Sequence, residues 1–456
     1  MKFKTTLMLM IIFLVLLAFV IFFESKGRKE AESKDKLVNL SADDVQKIVF
    51  KKENETLSFK KDKEGNWLIT QPLEAKADKY EVNRLAEDFS QLRIERVVEE
   101  EVQAKDLTKY EIPKVEISLF YKEKEHPVKI QIGMENPLDK TFFAKKADDP
   151  RLVLIASSFK SLLEKKLIDF RQKDIFRFET DEVKSIKLRA KNIEWQAQKK
   201  EDEWFLKKPV EFLAESSKIS DILYSLSNLR AKEFISEEKK EGDLKKYGLE
   251  KPEYKITLSM PASNQKVTFL LHKKDDTLYA TTSLSSKIIS TDSSLLKDLE
   301  KKSEELREKK VASFYTWEVN KLYLKKGKIE WSLTKDKEDN WYFQLPTKEA
   351  AAKEKIETFI RKIEGLEASE FIDPPFKLAD YGLDHPQAEV KFWIKENEKK
   401  VKEVTVFVGS EDKQAKKVVV KNGRLNYLFR VDSSFLEEFP KELKDWQPEP
   451  KEEKKK

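Results

Sequence analysis

The sequence predicts an α+β protein of three tandem homologous domains, each an antiparallel sheet of about seven strands with two helices, preceded by one transmembrane helix. Three observations carry this reading. A tryptophan with a proline five positions on occurs three times, as Trp67/Pro72, Trp204/Pro209 and Trp341/Pro346. The steps from 67 to 204 and from 204 to 341 are both 137 residues, the size of a domain rather than of a solenoid repeat of about 20–50. Within each step, apolar patterns of period 3.6 and period 2 recur in register.

Residues 1–30 stand apart as an N-terminal anchor. Leu7 to Phe23 is an unbroken run of 17 apolar residues after Lys2 and Lys4. With Thr5 and Thr6 it makes roughly 28 Å of helix, enough for a hydrocarbon core of about 30 Å. A cleaved signal peptide has a shorter apolar stretch and a small-x-small site, whereas Phe22, Phe23 and Glu24 stand where cleavage would fall. The run therefore reads as an uncleaved single-pass anchor. Lys26, Arg28 and Lys29 outnumber Lys2 and Lys4, so flanking charge does not set the orientation. Long C-terminal domains cross largely regardless of such charge. With no Cys, the chain suits an oxidising compartment and has no lipoprotein anchor, disulfide or thiolate metal site. The expected placement is the cytoplasmic (inner) membrane, N-terminus inside, with the domains extracytoplasmic or periplasmic.

The repeats are expected at 41–179, 180–318 and 319–446, with 447–456 a disordered charged tail. Each opens with three short β-prone runs, in the first copy 48–51, 56–60 and 67–70, separated by turn-forming clusters. The Trp opens the third run and the Pro ends it, since Pro cannot donate to a ladder. An amphipathic helix follows. Its stripe is Val82, Leu85, Ala86, Phe89 and Leu92, then Ile219, Ile222, Leu223, Leu226 and Leu229, then Ile356, Phe359, Ile360, Ile363 and Leu366. Asp78 with Glu81 reads as a capping box. A β-prone pair comes next: Val97-Val98, Phe234-Ile235, Phe371-Ile372. A tyrosine turn follows at Tyr110, Tyr247 and Tyr381; the second and third copies continue Tyr-Gly-Leu-x-x-Pro, and the first is shorter and lacks the Gly. Alternating strands then build a sheet with one buried face. A Ser pair, at Ser157, Ser293 and Ser433, is expected to cap a last helix. The joints at 170–174 and 306–310 hold no Gly or Pro and read as stiff.

Composition narrows function by exclusion. The 90 Lys and Arg nearly balance 84 Asp and Glu, and the signs interleave. That is a solvated, ion-paired surface, not the clustered basic stripe of a nucleic-acid binder. None of the ten Gly forms a G-x-G or G-x-S-x-G pattern. His126, His272 and His385 fall at different repeat positions and read as surface residues. The 336–340 stretch lacks the Gly and Glu of a Ca²⁺ loop and reads as an acidic hairpin turn. No catalytic, cofactor or metal residue is assigned, and no cofactor is expected. Trp67, Pro72, Tyr110, Trp204, Pro209, Tyr247, Trp341, Pro346 and Tyr381 are read as structural markers, because a core residue is needed in every copy and a catalytic centre is not.

With these motifs in hand, the chain resembles a bacterial family of unknown function, domain-of-unknown-function family 4340, in tandem copies behind an N-terminal membrane anchor. The resemblance runs from about Asp43 to Trp446 and weakens at Tyr110. It implies an accessory role beside ABC-type transport or gliding-motility-like systems, and no catalytic residues. The expected function is a non-enzymatic, membrane-anchored binding or scaffold protein with a membrane-protein partner such as transporter subunits. The alternatives are an enzyme modifying cell-envelope polymers with a site between domains, which needs a cleft there with polar residues unique to one copy, and a glycan binder using exposed Trp.

Overall fold

The computed structural model describes residues 35–449 apart from residues 53, 398 and 399. The apolar run expected to anchor the chain lies outside the described residues. Among the described residues no helix is long and apolar enough to cross a membrane. The chain divides into two compact units. The first holds the first copy as far as Asp174 together with Arg230–Phe234, and the second holds Ile175–Leu229 and everything from Ile235 on.

The first copy is one antiparallel sheet of nine strands: β1 (Val45–Lys52), β2 (Thr56–Lys61), β3 (Trp67–Gln71), β4 (Ala75–Lys76), β5 (Arg96–Glu99), β6 (Val115–Tyr121), β7 (Val128–Glu135), β8 (Phe142–Lys146) and β9 (Leu152–Ile155). Their order is β4-β3-β2-β1-β6-β7-β8-β9-β5. One helix, α1 (Lys79–Ser90), lies between β4 and β5 in sequence. The second copy repeats this with β10 (Ser185–Ala190), β11 (Ile193–Lys200), β12 (Glu203–Lys208), β13 (Phe212–Leu213), helix α2 (Ser216–Ser227), β14 (Glu233–Ser236), β15 (Tyr254–Met260), β16 (Gln265–Lys274), β17 (Thr277–Thr282) and β18 (Ile288–Thr291). The third has β19 (Val319–Lys326), β20 (Ile329–Lys335), β21 (Trp341–Leu345), helix α3 (Lys353–Glu364), β22 (Glu370–Ile372), β23 (Ala388–Asn397), β24 (Lys400–Asp412), β25 (Lys417–Asn422) and β26 (Leu428–Asp432).

The sheets thus hold nine, nine and eight strands rather than seven. The additions are short edge strands. β4 and β13 are two residues long, too short to show a period, and the β-prone pair after each helix joins the far edge of its sheet, as β5 does against β9. In the third copy the two-residue edge strand is reduced to a single bridge between Tyr342 and Ala350.

The helical stripes are buried as the periodicity predicts. Val82, Leu85, Ala86 and Phe89 line one side of α1, with Ile219, Ile222, Leu223 and Leu226 on α2 and Ile356, Phe359, Ile360 and Ile363 on α3. Each large apolar side chain so covered contributes roughly 1.5–3 kcal/mol. The capping box is only half formed. Asp78 accepts from the amides of Tyr80 and Glu81, but its own N–H donates to the Phe170 carbonyl at 2.8 Å, and Glu81 pairs instead with Lys165. The same carbonyl serves in every copy: Glu215 N–H donates to Leu306 and Ala352 N–H to Trp446. Each long helix is therefore tied at its start to the last residue of a short helical turn near the end of its own copy.

The closing helix is a correction. It is a short helical turn, such as Ser157–Phe159 followed by Lys160–Leu163, and the serines do not cap it. In the later copies the acceptor is the preceding aspartate, Asp292 for the Ser294 N–H at 2.8 Å and Asp432 for the Ser434 N–H at 2.9 Å. A carboxylate one position earlier is the stronger acceptor for the amides of the first turn. Gln447, the first residue of the expected tail, donates its Nε2 to Glu349 at 2.8 Å.

Candidate functional site

The nine markers fall on a strand, the cis bond that follows it and a half-buried turn in each copy. Trp67, Trp204 and Trp341 are 2%, 3% and 1% exposed, so none offers its ring to a ligand, and glycan binding through them has no surface to use. Each lies on the strand that ends just before its proline, and Pro72, Pro209 and Pro346 all follow cis peptide bonds. Trp67 Nε1 donates to Asn83 Oδ1 on α1 at 2.7 Å. Trp341 Nε1 is buried and has no hydrogen-bond partner. The tyrosines are half-buried: Tyr110 donates to Glu99 at 2.8 Å, Tyr247 packs on Tyr279 with centroids 4.8 Å apart, and Tyr381 meets Phe376 edge-on.

The tyrosine turn also relocates His272. Gly133 and Gly409 follow the same strand position in the first and third copies, and a Cβ on either would lie 2.1 or 2.3 Å from the carbonyl of Tyr110 or Tyr381. The second copy has His272 there. Its ring occupies the space over Gly248, whose Cβ would fall 2.2 Å from the imidazole, and its Nδ1 is buried without a partner. It is a half-buried, packed histidine, unlike the exposed His126 and His385. The acidic 336–340 turn spends its first carboxylate on the backbone, where Asp336 accepts from Glu338 and Asn340, as Asp62 does from Glu64 and Asn66.

The sequence reads the joints as stiff and assigns their arginines no role. In the second unit Arg307 is 6% exposed. Its guanidinium lies 4.8, 3.9 and 4.2 Å from the ring centroids of Phe212, Phe371 and Tyr427. In the first unit Arg171 takes the matching place, 3.5 Å from Phe234. The residue after the helix-tying carbonyl is Arg171, Arg307 and then Gln447, and the platform position is Val97, Phe234 and Phe371. The arginine thus stands at this position of the first two copies and a glutamine in the third, and the phenyl platform stands in the second and third copies and a valine in the first.

The best candidate for a ligand site lies on the solvent face of the second sheet. It is a groove of about 600 Å³ across β11, β10, β15 and β16. Period-two alternation puts the apolar residues of these strands into the core and leaves Ser185, Gln196, Thr257, Ser259 and Thr268 as a half-buried floor. Lys187, Arg189, Lys255 and Lys266 rise from it, exposed, beside a single carboxylate, Glu194. Glu194 pairs with Lys187 at 3.0 Å, and that hydrogen bond first, with the charges of Lys187 and Arg189, holds its pKa below the ordinary carboxylate value. Thr257 and Thr268 share a hydroxyl hydrogen bond at 3.1 Å.

The groove is open because of two residues. At the same register the first copy has Lys47 opposite Phe120 and the third has Lys321 opposite Trp393, with each ammonium over its ring at 5.1 and 4.3 Å. The second copy has Ser185 opposite Ser259. Two hydroxymethyl groups replace a lysine lying on an aromatic ring, and the face is uncovered. This is a cleft with polar residues unique to one copy. It carries cations and hydroxyls, with no paired carboxylates and no histidine among its lining residues.

Fold and site together define a tandem-repeat α+β protein with three copies of one antiparallel sheet and a groove on the second. The chain belongs to the family described as domain of unknown function (DUF4340), whose pattern matches twice, over residues 67–240 and 204–377. The two matches are offset by the same 137 residues as the tryptophans, and each begins on a marker Trp. No curated protein matches the chain. Similar solved structures include a DNA polymerase sliding clamp from Pseudomonas aeruginosa with ligand, 6% identical over 88% of this chain and 95% of that one with a TM-score of 0.16. Another is the DNA polymerase III subunit beta from Pseudomonas aeruginosa, 7% identical over 87% and 94% with a TM-score of 0.15. Likenesses this slight carry no argument about fold or function.

Proposed function

We propose that this is a membrane-anchored extracytoplasmic binding and scaffold protein, held in the cytoplasmic membrane by its N-terminal apolar run and acting as an accessory component of an ABC-type transport or gliding-motility-like system. The observation that carries the reading is the burial of the marker tryptophan in all three copies. Triplication has multiplied a structural unit and its outer surface, which is what a scaffold needs. An exposed aromatic stack, Trp317 at 71% exposure lying parallel to Tyr315 with centroids 4.3 Å apart, supplies a surface of the kind enriched at protein interfaces. The test is a photo-crosslinking residue at Trp317 in living cells, followed by mild-detergent purification. Recovery of an integral membrane transport subunit supports the reading. Recovery of soluble proteins only, or of none, counts against it. Protease accessibility in spheroplasts checks the placement separately: the domains are expected to be cut from the outside.

A further inference from the structure

We propose that the groove on the second sheet binds a multiply charged oxyanion of the phosphate-ester class, with Arg189 and Lys255 as its principal contacts, Lys187 and Lys266 flanking them and the Ser/Thr floor donating hydroxyls. The inference stands on the groove alone and holds whatever the membrane partner is.

The first argument is electrostatic. Arg189 stands directly across one strand pair from Lys255 and across the other from the groove's single carboxylate, Glu194. Like charges placed so are destabilising. The other copies show the relieved arrangement at the same register: Lys51 faces Glu116 in the first and Lys325 faces Glu389 in the third. The second copy alone reverses the sign of that partner. A second reversal lies across the groove, where Lys266 opposes Ser259 and the third copy has Glu403 opposite Trp393. Among the described residues the one ion pair within the groove joins Lys187 to Glu194. Four cations therefore meet one carboxylate, in a chain whose 90 basic and 84 acidic residues otherwise nearly cancel.

The second argument is shape. The four strands span about 14 Å at their usual spacing of roughly 4.8 Å. Arg189 and Lys255, directly opposite on neighbouring strands, are placed to share one ligand, and the arginine fork matches the oxygens of a phosphate group. A single carboxylate would satisfy one of these cations. A phosphomonoester carries about −1.5 to −2 charge at neutral pH and three strong acceptor oxygens, which suits several cations and the hydroxyl floor together. Ser185 and Ser259 are then the residues that admit it, because the matching Lys and aromatic side chains close this face in the other copies.

The experiment uses the full-length protein in detergent and isothermal titration calorimetry with two probes, inorganic pyrophosphate and monomeric dihexanoyl phosphatidic acid. Two variants borrow residues the other copies already carry at these positions. Lys255→Glu restores the acidic partner, and Ser259→Trp covers the groove with all four cations intact. Saturable binding of pyrophosphate is expected, weakening steeply with salt and falling at least tenfold in each variant, while Lys255→Arg retains it. Tighter binding of the lipid probe identifies a headgroup as the source of the phosphate, and equal or weaker binding identifies a soluble ester or polymer. Absence of saturable binding for both probes overturns the proposal. So does binding that survives unchanged in both variants while circular dichroism shows them folded.

Discussion

Arg307 grips Asp373 with both prongs of its guanidinium, Nη1 to Oδ2 at 3.0 Å and Nη2 to Oδ1 at 2.6 Å, while three aromatic rings surround it. Phe212 belongs to the second copy, and Phe371, Asp373 and Tyr427 to the third. The side chain is a clasp between these two copies, and its chemistry explains why it is arginine: a planar cation stacks on rings and forks onto a carboxylate at once. Asp373 is 41% exposed, so the ion pair itself is screened and contributes little. The stacking and burial contribute more.

Arg307→Gln copies the third copy's residue at this position, Gln447. It is expected to lower the stability of the second unit by about 2–3 kcal/mol, from lost ring contacts and an emptied, partly polar cavity. Arg307→Lys recovers less than half of that, since an ammonium cannot stack or fork. Gln447→Arg is expected to change stability by less than about 0.5 kcal/mol, because among the described residues the phenyl platform position occurs only at Phe234 and Phe371, which Arg171 and Arg307 already occupy. Urea denaturation followed by tryptophan fluorescence measures all three. An Arg307→Gln midpoint equal to that of the wild type would remove the clasp.

The marker tryptophans are not energetically equivalent. Trp67 has a partner for its indole N–H in Asn83, and the equally buried Trp341 has none. Replacing Trp67 by Phe leaves the Asn83 carbonyl short of a donor, whereas replacing Trp341 by Phe removes an unsatisfied buried N–H. Both lose ring area. Trp67→Phe is therefore expected to be the more destabilising by about 1–2 kcal/mol. Equal losses in thermal or urea unfolding would show that the Trp341 N–H finds water that the packing does not suggest.

Much of this architecture is legible in the residues that face inward. The stripes at 82–92, 219–229 and 356–366 repeat without a gap because each must cover the same sheet, and the Trp–Pro strand end recurs for the same reason. What stayed hidden follows other rules. Ala75–Lys76 and Phe212–Leu213 are too short to have a period, so sheet edges were undercounted. Arg171 and Arg307 sit in charged joints and carry no distinguishing pattern until Gln447 is set beside them. The groove lies in the outward positions of strands whose inward positions define the register. Comparing Ser185 and Ser259 with Lys47, Phe120, Lys321 and Trp393 finds it, but only once the pairing of β10 with β15 fixes which residues are opposite.

Acid should weaken the second unit through Glu203. Burial alone would raise this carboxyl, but Arg424 at 2.6 Å and Lys402 at 3.3 Å outweigh burial and hold it below its ordinary 4.5. A depressed folded pKa means the stabilisation is fully present above the unfolded value and is lost as pH falls through the folded one. Glu203→Gln is thus expected to be less stable than the wild type at pH 7, with the gap closing as pH drops below about 4.5. Denaturation midpoints of both proteins across pH 3–7 measure the gap. A difference that does not change with pH would mean that Glu203 acts by packing and not by charge.

The groove makes a prediction about the protein without any ligand. Arg189 and Lys255 repel across β10 and β15, and Lys51–Glu116 and Lys325–Glu389 show that this sheet position readily takes an attractive pair. Lys255→Glu should therefore stabilise the ligand-free protein by about 0.2–1 kcal/mol, because it exchanges a cross-strand repulsion for an attraction. The gain should shrink at high salt, since both side chains are exposed. A residue whose replacement strengthens the fold while weakening anion binding is one held for the ligand. If Lys255→Glu instead destabilises the protein at low salt, the repulsion is already relieved within the sheet, and the electrostatic argument for the site fails with it.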